Sequence, residues 1–214
     1  ADKPVYLLVK DGEVTIRDAG ALWGLLTKDT QKAIREELGD ERVRVAMIGP
    51  GGENLVPFAC IMNGPFDAAG RGGLGAVMGS KNLKAVAVRG TGRARVYDRE
   101  GVKAFNNWIT KSHWDHFWIH QVLPEFGTGG PEMEGMEMIG HLPVHNWRGA
   151  AFAEGIKNVH GGALKERMGL PMEGCYGCPL RCKKRLQSGA PYFVDPEYGG
   201  PEYESMCALG TNLE

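Results

Sequence analysis

The chain has 214 residues, of which 43% are hydrophobic and 24% charged, a composition typical of a globular protein with one or two domains. Its formal net charge of -1 and sequence pI near 6.7 exclude a global positive field for binding nucleic acid or an anionic membrane surface. No apolar stretch approaches the roughly 18 residues of a membrane-spanning helix, and the five cysteines, three of them close together, indicate metal binding rather than a disulfide framework.

The first part of the chain predicts a β-rich unit that opens on a hairpin. Asp11-Gly12 lies between two short apolar runs, and Asp-Gly in that position is a strong hairpin signal. Further apolar runs bounded by glycine and proline are typical of buried strands. The predicted strands cover residues 5–9, 13–16, 43–48, 58–62 and 83–88.

Helices are predicted between these strands and through most of the second part of the chain. Thr27 or Asp29 can cap a helix that runs to Leu38, and Gly39 is placed to end it. The other predicted helices cover the end of the glycine-rich residues 72–80, then residues 98–119 and 162–168.

This order of elements predicts an α+β fold with a domain boundary around residues 90 to 97. Residues 1–92 would be a β-rich domain portion, and residues 93–214 a mainly helical domain portion. The last residues carry no stop signal of a finished domain, so we expect a chain that is cut at both ends.

A cysteine motif dominates the second portion. Cys175, Cys178 and Cys182 have the spacing C-x2-C-x3-C, and thiolates so close in sequence can share one cubane if the loop is tight. Structural zinc prefers two separated pairs of ligands, and the sequence has no second pair with that spacing. The pattern favours a 4Fe-4S cluster, with Cys207 as the nearby candidate for the fourth ligand. The alternative is three inert cysteines that pack as small hydrophobic side chains.

A glycine-rich run at residues 63–75 dominates the first portion and leads into a helix. Small residues before a helix expose backbone N–H groups to an anion, and Arg71 can pair with a phosphate. The run matches neither the P-loop nor the dinucleotide-binding pattern, so ATP and NAD are not indicated. The alternative is tight packing of turns.

Residues 51–55, residues 68–85, the cysteine motif and the sequence Gly200-Pro201-Glu202-Tyr203-Glu204 together resemble the aldehyde ferredoxin oxidoreductase family. The resemblance covers essentially the whole chain. In that family a tungsten ion is held by the dithiolenes of two pterins beside a 4Fe-4S cluster. Aldehydes are oxidised to carboxylic acids, and the electrons pass to ferredoxin. The resemblance implies this activity for the protein, with the chain as an internal fragment in which residues 1–92 belong to the pterin-binding domain.

The resemblance also implies roles for particular residues. Tyr203 and Glu204 match the active-site Tyr-Glu pair, in which Glu204 would accept a proton or orient water if burial raises its pKa. The fourth cluster cysteine would come from beyond residue 214 rather than from Cys207. The residues implied to contact the pterin or its phosphate are Asn63, Ala68, Ala69, Gly70, Arg71, Gly72 and Gly73.

Cofactors and partners follow from the same resemblance. The cofactors are a 4Fe-4S cluster and a tungsten bis-pterin, and a Mg²⁺ ion is a further one that the family allows. The partners are ferredoxin or a ferredoxin-like subunit, the other segments of the enzyme and a small aldehyde, in a homo-oligomer or hetero-oligomer in the cytoplasm. No nucleic-acid partner and no membrane span are expected. A basic run, residues 181–185, would favour docking of an acidic ferredoxin, and a solvated face is the alternative.

Three other functions are left open. One is the active-site subunit of a related tungsten reductase that acts on an aromatic thioester of the benzoyl-CoA type. Another is an iron-sulfur electron-transfer module without a pterin. The third is a molybdenum bis-pterin oxidoreductase, which would be compatible with Cys207 as the fourth ligand.

Overall fold

The computed structural model describes residues 1–149 and 152–209. The chain divides into two compact units, Ala1–Arg95 and the residues from Val96 onward. Within the described ranges, no helix is long and apolar enough to cross a membrane.

The first unit, which is described throughout, is built on one mixed sheet. Its order is β2-β1-β6-β3-β4-β5, in which β1 and β6 pair in parallel and every other pair is antiparallel. The strands are β1 (Val5–Lys10), β2 (Glu13–Asp18), β3 (Arg44–Met47), β4 (Ile61–Asn63), β5 (Asp67–Ala69) and β6 (Leu83–Arg89).

The opening hairpin is confirmed. β1 and β2 pair from Val5 opposite Asp18 to Lys10 opposite Glu13, and the turn between them is Asp11-Gly12. The side chains of β1 alternate between the core and the other face of the sheet, as the period of two requires. The buried core of this unit consists of Tyr6, Leu8, Ala19, Leu22, Ile34, Val43, Val45, Met47, Ala85 and Ala87.

Three helices accompany the sheet: α1 (Thr27–Leu38), α2 (Pro50–Glu53) and α3 (Leu74–Ser80). The predicted end of α1 is confirmed, because Gly39 adopts the left-handed conformation with φ of 62°. The predicted cap is wrong: the N-cap is Leu26, without a side-chain hydrogen bond, and Thr27 is already helical. The helix begins at Thr27, so neither Thr27 nor Asp29 occupies the N-cap position.

The strand predicted at residues 58–62 is largely wrong, since β4 begins only at Ile61 and Phe58 is 81% exposed. The Ala59 N–H donates to the Val56 carbonyl, and the Ala59 carbonyl accepts from the Gly75 N–H, both at 2.9 Å. These bonds commit the backbone before Ile61 to a turn that holds the start of α3, so it cannot join the sheet.

The second unit is mainly helical, which together with the mixed sheet of the first confirms the α+β class. The long helix predicted at residues 98–119 ends at Ser112, and a π-helix at Trp118–Val122 comes before Pro124, which lacks the N–H that a regular helix would use. A hairpin of β7 and β8 was not predicted. The elements are α4 (Arg99–Ser112), α5 (Leu123–Phe126), α6 (Glu132–Met138), α7 (Ala153–Val159), α8 (Gly161–Met168), β7 (Gly169–Glu173), β8 (Lys183–Leu186) and α9 (Tyr203–Ala208).

The core of the second unit lies between α6, α7 and α9. Its buried side chains are Met133, Leu142, Val144, Ile156 and Met206. The core therefore fixes α9, the helix that begins with the Tyr203-Glu204 pair.

Candidate functional site

The three motif cysteines lie on the single loop that joins β7 to β8. The strands pair antiparallel, and the pairing of Glu173 with Lys183 closes the loop at its base. Inside the loop, the Cys178 N–H donates to the Cys175 carbonyl at 3.0 Å, which makes a tight turn. The hairpin thus places the first and last cysteines at the two ends of a short closed loop.

The motif thiols are all free. Cys175 is exposed, and Cys178 and Cys182 are half-buried. Burial raises the pKa of the Cys182 thiol, and the Glu202 carboxylate and the other two thiols raise it further. Within the part of the chain that the structure describes, no three His, Cys, Asp or Glu side chains are gathered closely enough to hold a metal ion. The donor set, three free thiols on one loop, nevertheless suits an iron-sulfur cluster chemically.

Cys207 is not on this loop but on α9, where it packs against the core of the second unit together with Tyr203. The hydrogen bond with the Cys207 thiol is the main cause that raises the pKa of Tyr203 to about 12, and burial contributes. Burial also raises the pKa of Cys207. These contacts tie the Cys207 thiol to Tyr203, one turn earlier on α9.

The Tyr203-Glu204 pair occupies the first turn of α9. Glu204 is exposed, so the described residues do not supply the burial that we expected around this carboxylate. The Tyr203 N–H donates to the Thr128 hydroxyl oxygen at 3.2 Å, and this bond fixes the start of the helix.

A buried cation that the sequence analysis missed lies beside the cysteine loop. The Lys184 side chain is only 3% exposed, and its ammonium donates to the Thr128 carbonyl at 2.6 Å and to Glu202 Oε2 at 3.3 Å. Burial lowers the pKa of Lys184, and the carboxylates of Glu202 and Glu132 oppose that shift. Residues 183–186 carry no alternation of polar and apolar side chains that would have revealed it, because the burial of Lys184 appears only in the folded strand β8.

Residues of the basic run around the last cysteine have partners within the second unit, and Arg181 is exposed. Arg181 donates to the Met172 carbonyl at 2.9 Å, and Arg185 forms an ion pair with Glu173 at 3.0 Å. With Lys184 buried as well, most of the positive charge of this run stabilises the hairpin and its surroundings.

The glycine-rich segment divides into two parts with different roles. A Cβ at Gly73 would collide with the Pro57 carbonyl, and one at Gly79 would collide with the Gly52 carbonyl, so these glycines are needed for the packing of α3. A Cβ at Gly70 or Gly72 would meet no atom within 4 Å. Packing of turns thus explains Gly73 and Gly79, and the φ of 82° at Gly72 favours glycine there, whereas neither reason applies to Gly70.

The part before α3 is exposed from Ala68 to Gly72. Ala68 and Ala69 end β5, and they are exposed, as are the following Gly70, Arg71 and Gly72. Asn63 is also exposed and pairs with Asp67 across the β4–β5 hairpin. The structure therefore brings Asn63 and residues 68–72 to one accessible edge of the first sheet, whereas Gly73 lies partly against Pro57.

Comparison with known proteins defines the class to which this fold and these sites belong. The family model for the N-terminal domain of aldehyde ferredoxin oxidoreductase matches residues 1–90, and the model for domains 2 and 3 matches residues 104–214. The chain belongs to the aldehyde ferredoxin oxidoreductase family, which confirms the resemblance found in the sequence.

Individual relatives support the same assignment. Over its whole length the chain is 42% identical to the tungsten-containing aldehyde ferredoxin oxidoreductase of Pyrococcus abyssi, and 35% identical to the WOR-like subunit of aliphatic sulfonate oxidoreductase of Pyrococcus furiosus. It covers 34% and 35% of those two proteins, so it spans about a third of the length of the curated relatives. A solved structure, the active-site complex BamBC of benzoyl coenzyme A reductase with 1,5-dienoyl-CoA, matches 89% of the chain and 30% of its own, with a TM-score of 0.70 and 33% identity.

Proposed function

We propose that the chain is part of a tungsten-pterin oxidoreductase that oxidises aldehydes to carboxylic acids and passes the electrons through a 4Fe-4S cluster to ferredoxin. One observation carries the proposal: a chain of this family presents three free thiols, at residues 175, 178 and 182, on one hairpin loop. Three cysteines with that spacing favour iron-sulfur ligation over disulfide pairing.

In this proposal the hairpin loop between β7 and β8 binds the cluster. Cys175, Cys178 and Cys182 would each ligate it as thiolates, and a fourth cysteine would come from another segment of the protein. Cys207 is the weaker candidate because it packs in the core with Tyr203. When bound, the cluster would supply one-electron transfer and the tungsten-pterin two-electron redox chemistry.

In this proposal the first unit binds the pterin. Residues 68–72 lack large side chains except for Arg71, so a phosphate or pterin ring can approach the backbone N–H groups directly. Arg71 would pair with the phosphate, and Asn63 would donate from the neighbouring strand. The exposure of this edge supports the proposal, because neither internal packing nor backbone conformation accounts for glycine at residue 70.

In this proposal the residues at the start of α9 take part in proton transfer. Glu204 would accept a proton from the attacking water or orient that water, and Tyr203 would stand beside it with its hydroxyl protonated at neutral pH, since its pKa is raised to about 12. The exposed position of Glu204 leaves it accessible to the rest of the protein and its cofactor.

A second candidate is a reductase for aromatic thioesters of the benzoyl-CoA type. The structural likeness to the BamBC complex, at 33% identity, favours it. The two activities are distinguished by substrate: reduction of ferredoxin that depends on an added aldehyde supports the first, and dearomatisation of an aryl-CoA thioester supports the second.

The setting of the enzyme is proposed on the same basis. Its partners would be a ferredoxin or a ferredoxin-like subunit, further copies or other subunits, and the remaining segments of the protein. Five free thiols are suited to the reducing cytoplasm. A Mg²⁺ ion would accompany the pterin phosphates.

Metal analysis of the intact protein tests the proposal. We expect tungsten together with roughly four irons per polypeptide, as one cubane requires. Cys178→Ser should abolish the visible iron-sulfur absorption, whereas Cys60→Ser, at a half-buried free cysteine outside the motif, should retain it. Iron without tungsten, zinc in place of iron, or full absorption in the Cys178 variant would contradict the assignment.

A further inference from the structure

Lys184, which is buried, and Glu202, which is half-buried, form an ion pair that links the end of the cysteine loop to the start of α9. The Lys184 ammonium donates to Glu202 Oε2, and the same carboxylate oxygen accepts from the Thr128 hydroxyl. The Thr128 hydroxyl oxygen in turn accepts from the Tyr203 N–H. A continuous chain of hydrogen bonds thus runs from β8, two residues after Cys182, to the helix that carries Glu204.

Gly127 packs against one side of the ion pair. A Cβ added to Gly127 would stand 2.7 Å from both the Cys182 carbonyl oxygen and the Lys184 ammonium, so this glycine packs against both groups at once. The Lys184 carbonyl also accepts from the Gly200 N–H at 2.8 Å, which fixes the other side of β8. The position of Cys182 is therefore tied to that of the Lys184 side chain.

A buried cation and a half-buried carboxylate lie next to the loop. The Lys184 side chain is 3% exposed and that of Glu202 is 34% exposed. Glu132 is a further carboxylate near Lys184, and its Oε2 has no hydrogen-bond partner among the described residues. Because water screens the buried Lys184 charge weakly, it acts on a charged neighbour more strongly than a surface residue does, and the half-buried Glu202 is screened more.

We propose that Lys184 and Glu202 are positioning residues that hold Cys182 for the iron-sulfur cluster and set the cluster's reduction potential in opposite directions. The inference rests on the proposed function, since it requires a cluster on Cys175, Cys178 and Cys182. The Lys184 ammonium stabilises the extra negative charge of the reduced cluster, and the Glu202 carboxylate destabilises it.

A redox titration of the intact protein tests this pair of effects. Dithionite donates one electron to the cluster, and the paramagnetic signal of the reduced form gives the midpoint potential. Lys184→Met should disfavour reduction by about tenfold or more, a shift of about 59 mV to more negative values for a one-electron couple. Glu202→Gln should shift the potential to more positive values, and Lys184→Arg, which keeps the charge, should retain a potential close to that of the wild type.

Two controls separate this role from a merely structural one. Lys157→Met removes the same charge from an exposed ion pair with Glu154 in the second unit, and it should leave the potential unchanged. Met133→Ala weakens the core of the unit without changing any charge, and it should also leave the potential unchanged. Shifts of opposite sign at Lys184 and Glu202, absent from both controls, support the inference.

The outcomes also separate this inference from the proposed function. A wild-type protein without iron would refute the proposed function itself. A wild-type cluster whose potential is the same in Lys184→Met and Glu202→Gln, or moves in the same direction in both, would overturn the inference alone. If Lys184→Met loses its iron, retention of iron by Lys184→Arg and Met133→Ala supports the positioning role, and equal loss in Met133→Ala counts against it.

Discussion

Replacement of Lys84 by Met should destabilise the first unit strongly. Lys84 on β6 is fully buried, and its ammonium donates to the Leu25 carbonyl at 2.9 Å and to the Glu53 carboxylate. The Glu53 side chain is only 4% exposed and also accepts from the Gly24 N–H at 2.8 Å. The substitution keeps the length of the side chain but leaves a buried carboxylate without its counter-charge.

The size of the effect follows from this burial. Removing one partner of a buried ion pair costs about 3–5 kcal/mol, because the other charge stays desolvated. Since about 1.4 kcal/mol is a factor of ten in an equilibrium, the opening of β6 should become roughly two to three and a half powers of ten more frequent. Adding Glu53→Gln to Lys84→Met removes the carboxylate charge that has lost its partner. The double variant should open β6 at least tenfold less often than Lys84→Met alone.

Hydrogen exchange of the β6 amides in the intact protein measures this opening locally. Lys32→Met is the matched control: it breaks an exposed pair with Glu36 on α1, which is worth at most about 0.5 kcal/mol. Exchange in Lys84→Met within a few-fold of the wild type would refute the reasoning. Equal exchange in the single and double variants would show that the orphaned carboxylate is not the cause.

Three further outcomes are expected. Gly70→Val should lower bound tungsten more than tenfold without lowering the thermal midpoint, because a Cβ at Gly70 meets no atom within 4 Å. Gly90→Val, at an equally open position, should keep the metal. Equal tungsten in both variants would exclude Gly70 from the pterin site. Glu204→Gln should retain both metals and lower kcat by about two to four powers of ten, and an unchanged rate would remove Glu204 from the mechanism. Burial and the hydrogen bond to Glu37 raise the pKa of Tyr6 from 10.0 to about 12, so its stabilisation is complete below about pH 10 and is lost as the pH rises towards 12. Tyr6→Phe should therefore flatten the alkaline unfolding curve followed by circular dichroism, and an identical curve would contradict the assignment.

Local patterns predicted well those elements whose signals lie within a few residues. The opening hairpin depends on Asp11-Gly12 and on the alternation of β1, and the end of α1 depends on Gly39, so each could be identified from its own segment. The cysteine spacing likewise identified one loop of three thiols, and the family resemblance was correct. The strand predicted at residues 58–62 failed because its backbone is bonded to Gly75, a partner distant in sequence.

The sequence by itself determined the family, the α+β class and the residue types available for cofactor binding, because these depend on motifs and on short-range periodicity. It could not decide which charges are buried. In the sequence, Lys184 belongs to a run of cations that is typical of a solvated face. In the structure it is enclosed by the pairing of β7 with β8 and by the contacts of its ammonium with Thr128 and Glu202. Burial is a property of surfaces brought together from distant parts of the chain, so the environment of the cysteine loop was decided by the tertiary structure alone.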